Sequence, residues 1–313
     1  MSNLPKAKRD WRALDAAHQK RGAMLTIWLD ASNEAFAPPA KTGRRGRPSK
    51  FSDAFIEAAL TVKVLTGLPL RAVEGFVRGV RDLAGAQWPV PDHSTLSLRQ
   101  ASLDVNLEAL TRSKRRVLMV DSTGLKVFGE GEWKVRQHGT EGKRRTWRKM
   151  HLLVDRETGQ VVAVETTDNG RGSADPLILP ALLPEDLEGD FVLGDGAYHT
   201  KKLHREVYAR HGTLMSPPKE GCRRWGKTPT HNDEAAFVFR NSQVRAIKAL
   251  GRKPWKLRSG MSRRSYVESM MHRFKSLTGP RLAARTFARQ KVEVRLRCKV
   301  LNKLAVSTAT VTA

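Results

Sequence analysis

The stretch RRVLMVDSTGLKVFG, residues 115–129, is the strongest indication of the fold, because an acidic residue directly follows a predicted core strand. Four apolar residues, Val117 to Val120, predict a buried strand, and Asp121 follows them directly. We expect a turn at the small residues 122–124 and then an edge strand. The pattern predicts a functional carboxylate at the end of a strand, and the alternative is an ordinary turn residue.

A second stretch, DFVLGDGAYHTKK at 190–202, repeats this pattern. Residues 191–193 predict another central strand, and Asp195 follows it. Two adjacent strands of this kind would place Asp121 and Asp195 side by side. Carboxylates that close repel each other unless they are protonated or bridged by a cation. Because Mg²⁺ prefers hard oxygen ligands, the pair predicts a magnesium site.

A third acid that would complete such a site lies in SRRSYVESMMHRFKSLTG, residues 262–279. On a helix, Arg264, Glu268 and Lys275 fall on one face, with His272 beside them. The neighbouring stripe is apolar and would pack the helix on the sheet; it contains Val267, Met271 and Phe274. The alternative is that Arg264 and Glu268 form an ordinary surface pair one helical turn apart.

Other acids have simpler explanations. Residues 146–169 predict a hairpin, and Asp155 lies at its turn, four residues before Gly159. Asp168 and Asp175 lie in a Gly-rich loop and at a helix start, where a turn or cap role suffices.

The charge distribution indicates a polyanionic partner. The chain has 57 Lys and Arg against 31 Asp and Glu, a formal net charge of +26. From Lys201 onward there are 27 basic against 6 acidic residues, so the excess is concentrated. Such an excess is typical of nucleic-acid binding. A ribosomal or chromatin-type protein would explain the charge, but it would not need acids at strand ends.

Cysteine spacing indicates a reducing compartment, and the hydropathy pattern indicates neither a membrane span nor secretion. Cys222 and Cys298 are far apart and lack zinc-site spacing, so we expect free thiols. No apolar run approaches the length of a membrane span, and no signal-peptide core is seen near the start. We therefore expect no membrane partner and a cytoplasmic location.

The N-terminal part predicts DNA contacts of two kinds. The basic arm 1–50 contains KTGRRGRPSK at 41–50, where Arg45 and Arg47 could enter a narrow minor groove, unless the segment is only a solvated linker. Residues 51–112 predict three short helices with helix-turn-helix character, with Arg99 on the outward helix. A plain helical packing domain is the alternative.

The strand and helix motifs together resemble bacterial insertion-sequence transposases of the DDE type, in particular the insertion-sequence-five family. The matching pieces are VDSTGLKVFG, WRKMHLLVD, VLGDGAYHTK, RRSYVESMMHRFKSLTG and KVLNKLA, in that order between residues 117 and 305. The resemblance implies an α/β fold: a ribonuclease-H-like mixed sheet with flanking helices over residues 113–313, carrying a basic insertion at about 219–261.

The resemblance also implies site residues. Asp121, Asp195 and Glu268 would be the catalytic, metal-binding triad. Arg264, Glu268 and Lys275 match the signature Y-x2-R-x3-E-x6-K, whose tyrosine position is occupied here by Met261. Contacts with DNA are expected from Arg263, Arg264 and Lys275. Trp255 could stack on an unpaired base, and its alternative is a buried core tryptophan.

The reaction that the resemblance implies is DNA transposition, and the implied location is the cytoplasm of a bacterium, associated with its nucleoid. Two Mg²⁺ ions, which Mn²⁺ could replace, would activate water and then a freed 3′-hydroxyl. The expected partners are transposon terminal inverted repeats and target DNA, bound by a homodimer on paired ends. The alternatives are a metal-dependent nuclease on the same fold and a non-catalytic DNA-binding protein derived from a transposase.

Overall fold

The structure is a computed structural model, and it describes residues 12, 36–39, 49–107, 115–127, 147–168, 170–225 and 231–309. The chain forms two compact units. One comprises residues 1–63, 67–103 and 303–313, and the other comprises residues 64–66 and 104–302. The domain boundaries given above remain predictions.

The smaller unit contains the three predicted helices: α1 (Asp53–Thr66), α2 (Leu70–Leu83) and α3 (His93–Gln100). Ser52 caps α1 by accepting a hydrogen bond from the Phe55 amide at 3.0 Å. Asp92 caps α3 in the same way, through the Thr95 amide at 2.6 Å. The aromatic core of this unit joins Phe36, Phe55 and Trp88.

The larger unit is a mixed α/β fold. Its strands are β1 (Val117–Val127), β2 (Trp147–Asp155), β3 (Val161–Thr167), β4 (Phe191–Leu193), β5 (Thr213–Met215) and β6 (Arg281–Leu282). Its helices are α4 (Asp175–Leu182), α5 (Lys201–Ala209), α6 (His231–Leu250), α7 (Arg252–Arg258), α8 (Ser265–Thr278) and α9 (Phe287–Ala309). The sheet order is β3-β2-β1-β4-β5, with β6 also paired to β1.

The first strand differs from its prediction. We expected a turn after Asp121, but β1 continues without interruption to Val127. The reason is tertiary: β2 pairs with β1 in antiparallel register from Leu118 to Lys126, which overrides the turn tendency of Ser, Thr and Gly. Asp121 therefore lies in the middle of β1.

The opposite edge of β1 is divided between two short parallel partners. β4 pairs with residues 117–119, and β6 pairs with residues 126 and 127. Residues 120–125 lie between these two ladders, so β1 has an opening there in which side chains from other elements can approach.

Successive side chains of β1 belong alternately to two hydrophobic cores, one on each face of the sheet. Leu118 and Val120 belong to the core that contains α4 and α5. Met119 and Leu125 belong to the other core, which contains α8 and α9. Because successive side chains alternate between faces, Asp121 lies on the α8 side of the sheet.

The hairpin and the later short elements agree with the sequence. β2 and β3 are joined at Gly159, whose φ is +69°. At this turn Asp155 accepts hydrogen bonds from the Glu157 amide and the Thr158 hydroxyl, each at 3.0 Å. In the described part of the chain, we find no helix with the length and apolar character of a membrane span.

Candidate active site

The register of the parallel strands β1 and β4 brings Asp121 and Asp195 to the same level along the strand direction. The last paired residues are Met119 of β1 and Leu193 of β4. Asp121 follows Met119 by two residues, and Asp195 follows Leu193 by two residues. Asp195 lies two residues beyond the end of β4, and it is close enough to Asp121 for its charge to raise the pKa of that carboxyl. The prediction that two adjacent strands bring these acids near each other is confirmed, although β1 does not end at Asp121.

A buried ion pair fixes this register. Arg116, five residues before Asp121, binds Asp190, five residues before Asp195. The two side chains are 8% and 2% exposed and lie 2.7 Å apart. The Arg116 amide also donates to the Asp190 carboxylate at 2.7 Å. Since a one-residue slip would move one acid to the other face, this pair helps to hold the acids level.

The third acid reaches the site through α8. Arg264, which precedes this helix, donates to Asp121 Oδ2 at 2.8 Å and to Glu268 Oε1 at 2.9 Å. The guanidinium thus links β1 to α8. Glu268 remains 56% exposed, whereas Asp121 is 20% exposed.

The other end of α8 is also attached to β1. Lys275 Nζ donates to Thr123 Oγ1 at 2.7 Å. The predicted apolar stripe is confirmed, since these side chains are all buried: Val267, Met270, Met271 and Phe274. Arg264 and Lys275 consequently contact β1 from the α8 side of the sheet, at Asp121 and Thr123.

The surroundings of Asp121 disfavour the charged form of its carboxyl group. Burial raises the pKa of Asp121, and the nearby negative charge of Asp195 raises it further. The Ser122 amide and Arg264 act in the opposite direction and compensate only in part. The site therefore concentrates negative charge where solvation is poor, which is an environment that favours a bound cation.

In the residues that the structure describes, no three His, Cys, Asp or Glu side chains lie close enough to hold one metal ion. Arg264 instead occupies the space between Asp121 and Glu268. The donor set nevertheless suits a divalent cation, because carboxylate oxygens are the ligands that Mg²⁺ and Mn²⁺ prefer.

Sequence reasoning missed a further acid on the opposite face of β1. Asp175, expected to be a cap, instead lies 2.9 Å from Lys149 Nζ and 3.1 Å from His151 Nδ1, both on β2. Burial raises the pKa of Asp175, but contacts with His151, Lys149 and Ser122 outweigh it and hold this pKa well below its usual range. Nothing in the local sequence indicates these contacts, which join distant elements.

Tyr198 lies next to both groups of acids. Its side chain is buried, and its hydroxyl has no hydrogen-bond partner in the described chain. Burial and the charges of Asp175, Asp121 and Asp195 raise the pKa of Tyr198. The ring packs on Gly194, directly before Asp195, where an added Cβ would come within 2.6 Å of it.

Of the other arginines predicted to contact DNA, one binds protein groups in the structure and the side chains of three lie outside its described part. Arg99 binds the start of α1, pairing with Asp53 and donating to Ser49 Oγ at 3.1 Å and to the Phe51 carbonyl at 3.2 Å. Its guanidinium is thus engaged within its own unit. Arg45 and Arg47 lie outside the described residues, as does the side chain of Arg263.

Trp255 corrects one expectation. Its side chain is 2% exposed and belongs to the core beside α8, and its indole N–H donates to Gln243 Oε1 at 2.7 Å. In this structure it offers no ring face for a base, which is the alternative that the sequence left open. Met261, at the signature tyrosine position, is buried in the same core.

The basic segment 219–261 forms a cavity of about 450 Å³ between the loop after β5 and helices α6 and α7. Its lining contains four cations and one carboxylate: Lys219, Arg223, Lys248, Arg252 and Glu220. The buried Arg240 fixes this loop by donating to the Arg223 carbonyl at 2.7 Å. The cavity has the charge and concave shape that suit an anionic ligand.

Comparisons with known proteins agree on one family. A family model described as a transposase DDE domain matches residues 112–303, and a second model with the same description matches residues 19–130. An uncharacterised protein of Aquifex aeolicus (strain VF5) is 26% identical over 242 residues, which cover 68% of this chain and 71% of that protein.

Among solved structures, the Drosophila P element transposase strand transfer complex is similar at a TM-score of 0.31 and 12% identity, covering 92% of this chain and 86% of that one. This similarity is too low to carry an argument. The first family match, by contrast, spans more than half of the chain and includes all three acids of the candidate site. The chain therefore belongs to the DDE transposase domain family.

Proposed function

We propose that this chain binds the terminal inverted repeats of its transposon and catalyses DNA strand cleavage and strand transfer at Asp121, Asp195 and Glu268. The observation that carries the proposal is the register of β1 and β4, which brings Asp121 and Asp195 near each other, together with Arg264, which links Asp121 to Glu268 of α8. Family membership supports the same reaction class.

The three acids would hold divalent metal ions, Mg²⁺ or Mn²⁺, in the working enzyme. Such ions, when bound, activate the attacking oxygen and stabilise the leaving oxygen of a phosphodiester. The raised pKa of Asp121 fits this assignment, since a cation would relieve the repulsion between that carboxylate and Asp195.

The remaining groups would position DNA. Lys275 holds the far end of α8 against β1 and could contact a phosphate beside the reacting strand. The cationic cavity lined by Lys219, Arg223, Lys248 and Arg252 could hold the backbone of bound DNA. Both contacts would be independent of base sequence.

The type of fold, the insertion-sequence family and the oligomeric state are also part of the proposal. A mixed sheet with parallel β1, β4 and β5, an antiparallel hairpin and flanking helices is compatible with a ribonuclease-H-like core. The quoted motifs favour the insertion-sequence-five family. Cutting two transposon ends together requires two active sites, which favours a homodimer on paired ends.

The test is to incubate the full chain with DNA carrying its own flanking genomic ends and a target plasmid, in Mg²⁺, and to sequence the products. We expect joined end–target molecules, because a transposase uses the freed 3′-hydroxyl as a nucleophile. Cleavage without joining would favour the nuclease. Binding without cleavage, even in Mn²⁺, would favour the non-catalytic protein.

A further inference from the structure

The ion pairs of Arg264 go beyond an ordinary helical surface pair. A surface pair would join Arg264 only to Glu268, four residues along. Here the same guanidinium also binds Asp121, a residue 143 positions away in the sequence. Its two terminal nitrogens each serve one carboxylate of the proposed metal site.

These contacts occupy the atoms that a metal ion would need. Asp121 Oδ2 accepts from Arg264, and Asp121 Oδ1 accepts from the Ser122 amide at 2.8 Å. A magnesium ion binds carboxylate oxygen at about 2.1 Å. A guanidinium on the same oxygen would bring two positive charges into contact, so the two cations compete for Asp121.

The guanidinium has an alternative partner when DNA is bound. Arg264 is 25% exposed, so an approaching strand can reach its guanidinium. Arginine binds phosphate oxygens through paired N–H groups, with a geometry similar to that of its carboxylate contacts. A phosphodiester could therefore replace the carboxylates as its partner.

We propose that Arg264 is an internal counter-ion that holds Asp121 and Glu268 in the DNA-free protein and couples metal binding to DNA binding. A phosphate of bound DNA withdraws the guanidinium, which frees both carboxylates for the metal ion. DNA thus raises metal affinity, and metal raises DNA affinity by the same factor. The inference rests on the proposed function of the three acids.

The experiment measures Mn²⁺ affinity of the full chain by electron paramagnetic resonance, with and without a mixed-sequence DNA duplex of about 20 base pairs. Asp121→Ala with the same duplex supplies the background of Mn²⁺ bound by DNA itself. Lys291→Ala is the matched control, because it removes a cation paired at 2.6 Å with a carboxylate, Glu165, that is not one of the three acids.

We expect the duplex to tighten Mn²⁺ binding to the wild type at least about fivefold, the lower end of typical couplings between sites. Without DNA, Arg264→Ala should tighten it by a similar factor, and the duplex should then add little. Lys291→Ala should retain the effect of DNA. Arg264→Lys, which cannot bridge two carboxylates in the same way, should lie between the wild type and Arg264→Ala.

Two results would overturn the inference. One is an equal change in Mn²⁺ affinity in Arg264→Ala and Lys291→Ala, and the other is an undiminished effect of DNA in both Arg264 variants. Failure of the proposed function looks different. In that case Asp121→Ala would bind Mn²⁺ as tightly as the wild type in every condition.

Discussion

Gly194 shows how closely the packing of a single residue is tied to the site. The ring of Tyr198 lies against the backbone at Gly194, and the next residue is Asp195. A methyl group there would lie 2.6–3.0 Å from three Tyr198 atoms. Tyr198 is 1% exposed and so has little room to move.

We predict that Gly194→Ala destabilises the protein by about 1–3 kcal/mol, as overpacking typically does, and lowers cleavage by displacing Asp195. Gly196→Ala is the control, since its added carbon would have only the Pro217 carbonyl nearby, at 3.9 Å. Urea denaturation measures the stability of both variants. Equal stabilities would show that the Tyr198 contact is not restrictive.

Asp175 gives a prediction for acid stability. Its pKa is held below the usual range in the folded protein, so in mild acid the unfolded chain takes up a proton that the folded chain does not. Its contribution to stability is complete above the ordinary aspartate pKa of about 4 and is lost as the pH falls toward its folded value.

The measurement compares urea denaturation of the wild type and Asp175→Asn from about pH 7 to about pH 3. We expect the stability difference between them to be largest near neutral pH and to shrink below about pH 4. Glu185→Gln, an exposed neighbour after α4, should match the wild type throughout. A difference that stays constant with pH would contradict the assigned contacts.

At the scale of elements, Asn302 attaches the C-terminal helix α9 to the backbone of the edge strand β3. Asn302 Oδ1 accepts from the Val161 amide at 2.7 Å, and Asn302 Nδ2 donates to the Val161 carbonyl at 2.8 Å. Asn302 belongs to the KVLNKLA motif, so the structure gives that motif a role in folding. The contact also pairs the backbone groups that an edge strand leaves without a strand partner.

Asn302→Ala leaves two buried backbone groups unpaired, each worth about 1–3 kcal/mol, and we predict a loss of about 2–4 kcal/mol in the free energy of unfolding. Asn302→Asp retains the acceptor and loses the amide donor, so its loss should be smaller. Circular dichroism during urea denaturation measures both. A stability of Asn302→Ala equal to the wild type would contradict this role.

Elements that depend on local signals could be predicted from the sequence. The three N-terminal helices have periodic apolar residues and side-chain caps at Ser52 and Asp92, and the β2–β3 hairpin has its turn at Gly159. The apolar stripe of α8 was also predictable, because it follows the helical period. These features require only neighbours in sequence.

Features created by distant contacts could not be predicted. The continuation of β1 past Asp121 depends on its pairing with β2, and the binding of Asp175 by His151 depends on α4 packing on the sheet. Similarly, the bridge from Arg264 to Asp121 spans two elements. The sequence identified the three acids, but it could not indicate that an arginine lies between two of them.

At the scale of the whole molecule, the net charge of +26 predicts DNA binding that weakens steeply with salt. Each cation that contacts a phosphate adds about 0.9 to the slope of log affinity against log salt concentration. The cavity beside α6 and α7 offers such cations, including Lys248.

We predict that Lys248→Gln reduces that slope by about 1, as expected for the loss of one phosphate contact. Lys291→Gln is the control, because Lys291 is already paired with Glu165 at 2.6 Å, and its slope should match the wild type. Fluorescence anisotropy of labelled duplex DNA over a range of salt concentrations measures both. Equal slopes in all three proteins would exclude the cavity as a DNA contact.

The most direct test of the account is strand transfer by Asp195→Asn, with Asp168→Asn as the control. Asp168 accepts hydrogen bonds only from its own loop, from the Gly170 amide and the Ser173 hydroxyl among the described contacts. We predict that Asp195→Asn loses cleavage and joining by at least about a hundredfold, since metal-assisted stabilisation of the transition state is worth several kcal/mol, while DNA binding persists. Asp168→Asn should retain both reactions. Strand transfer by Asp195→Asn at the wild-type rate would contradict the account.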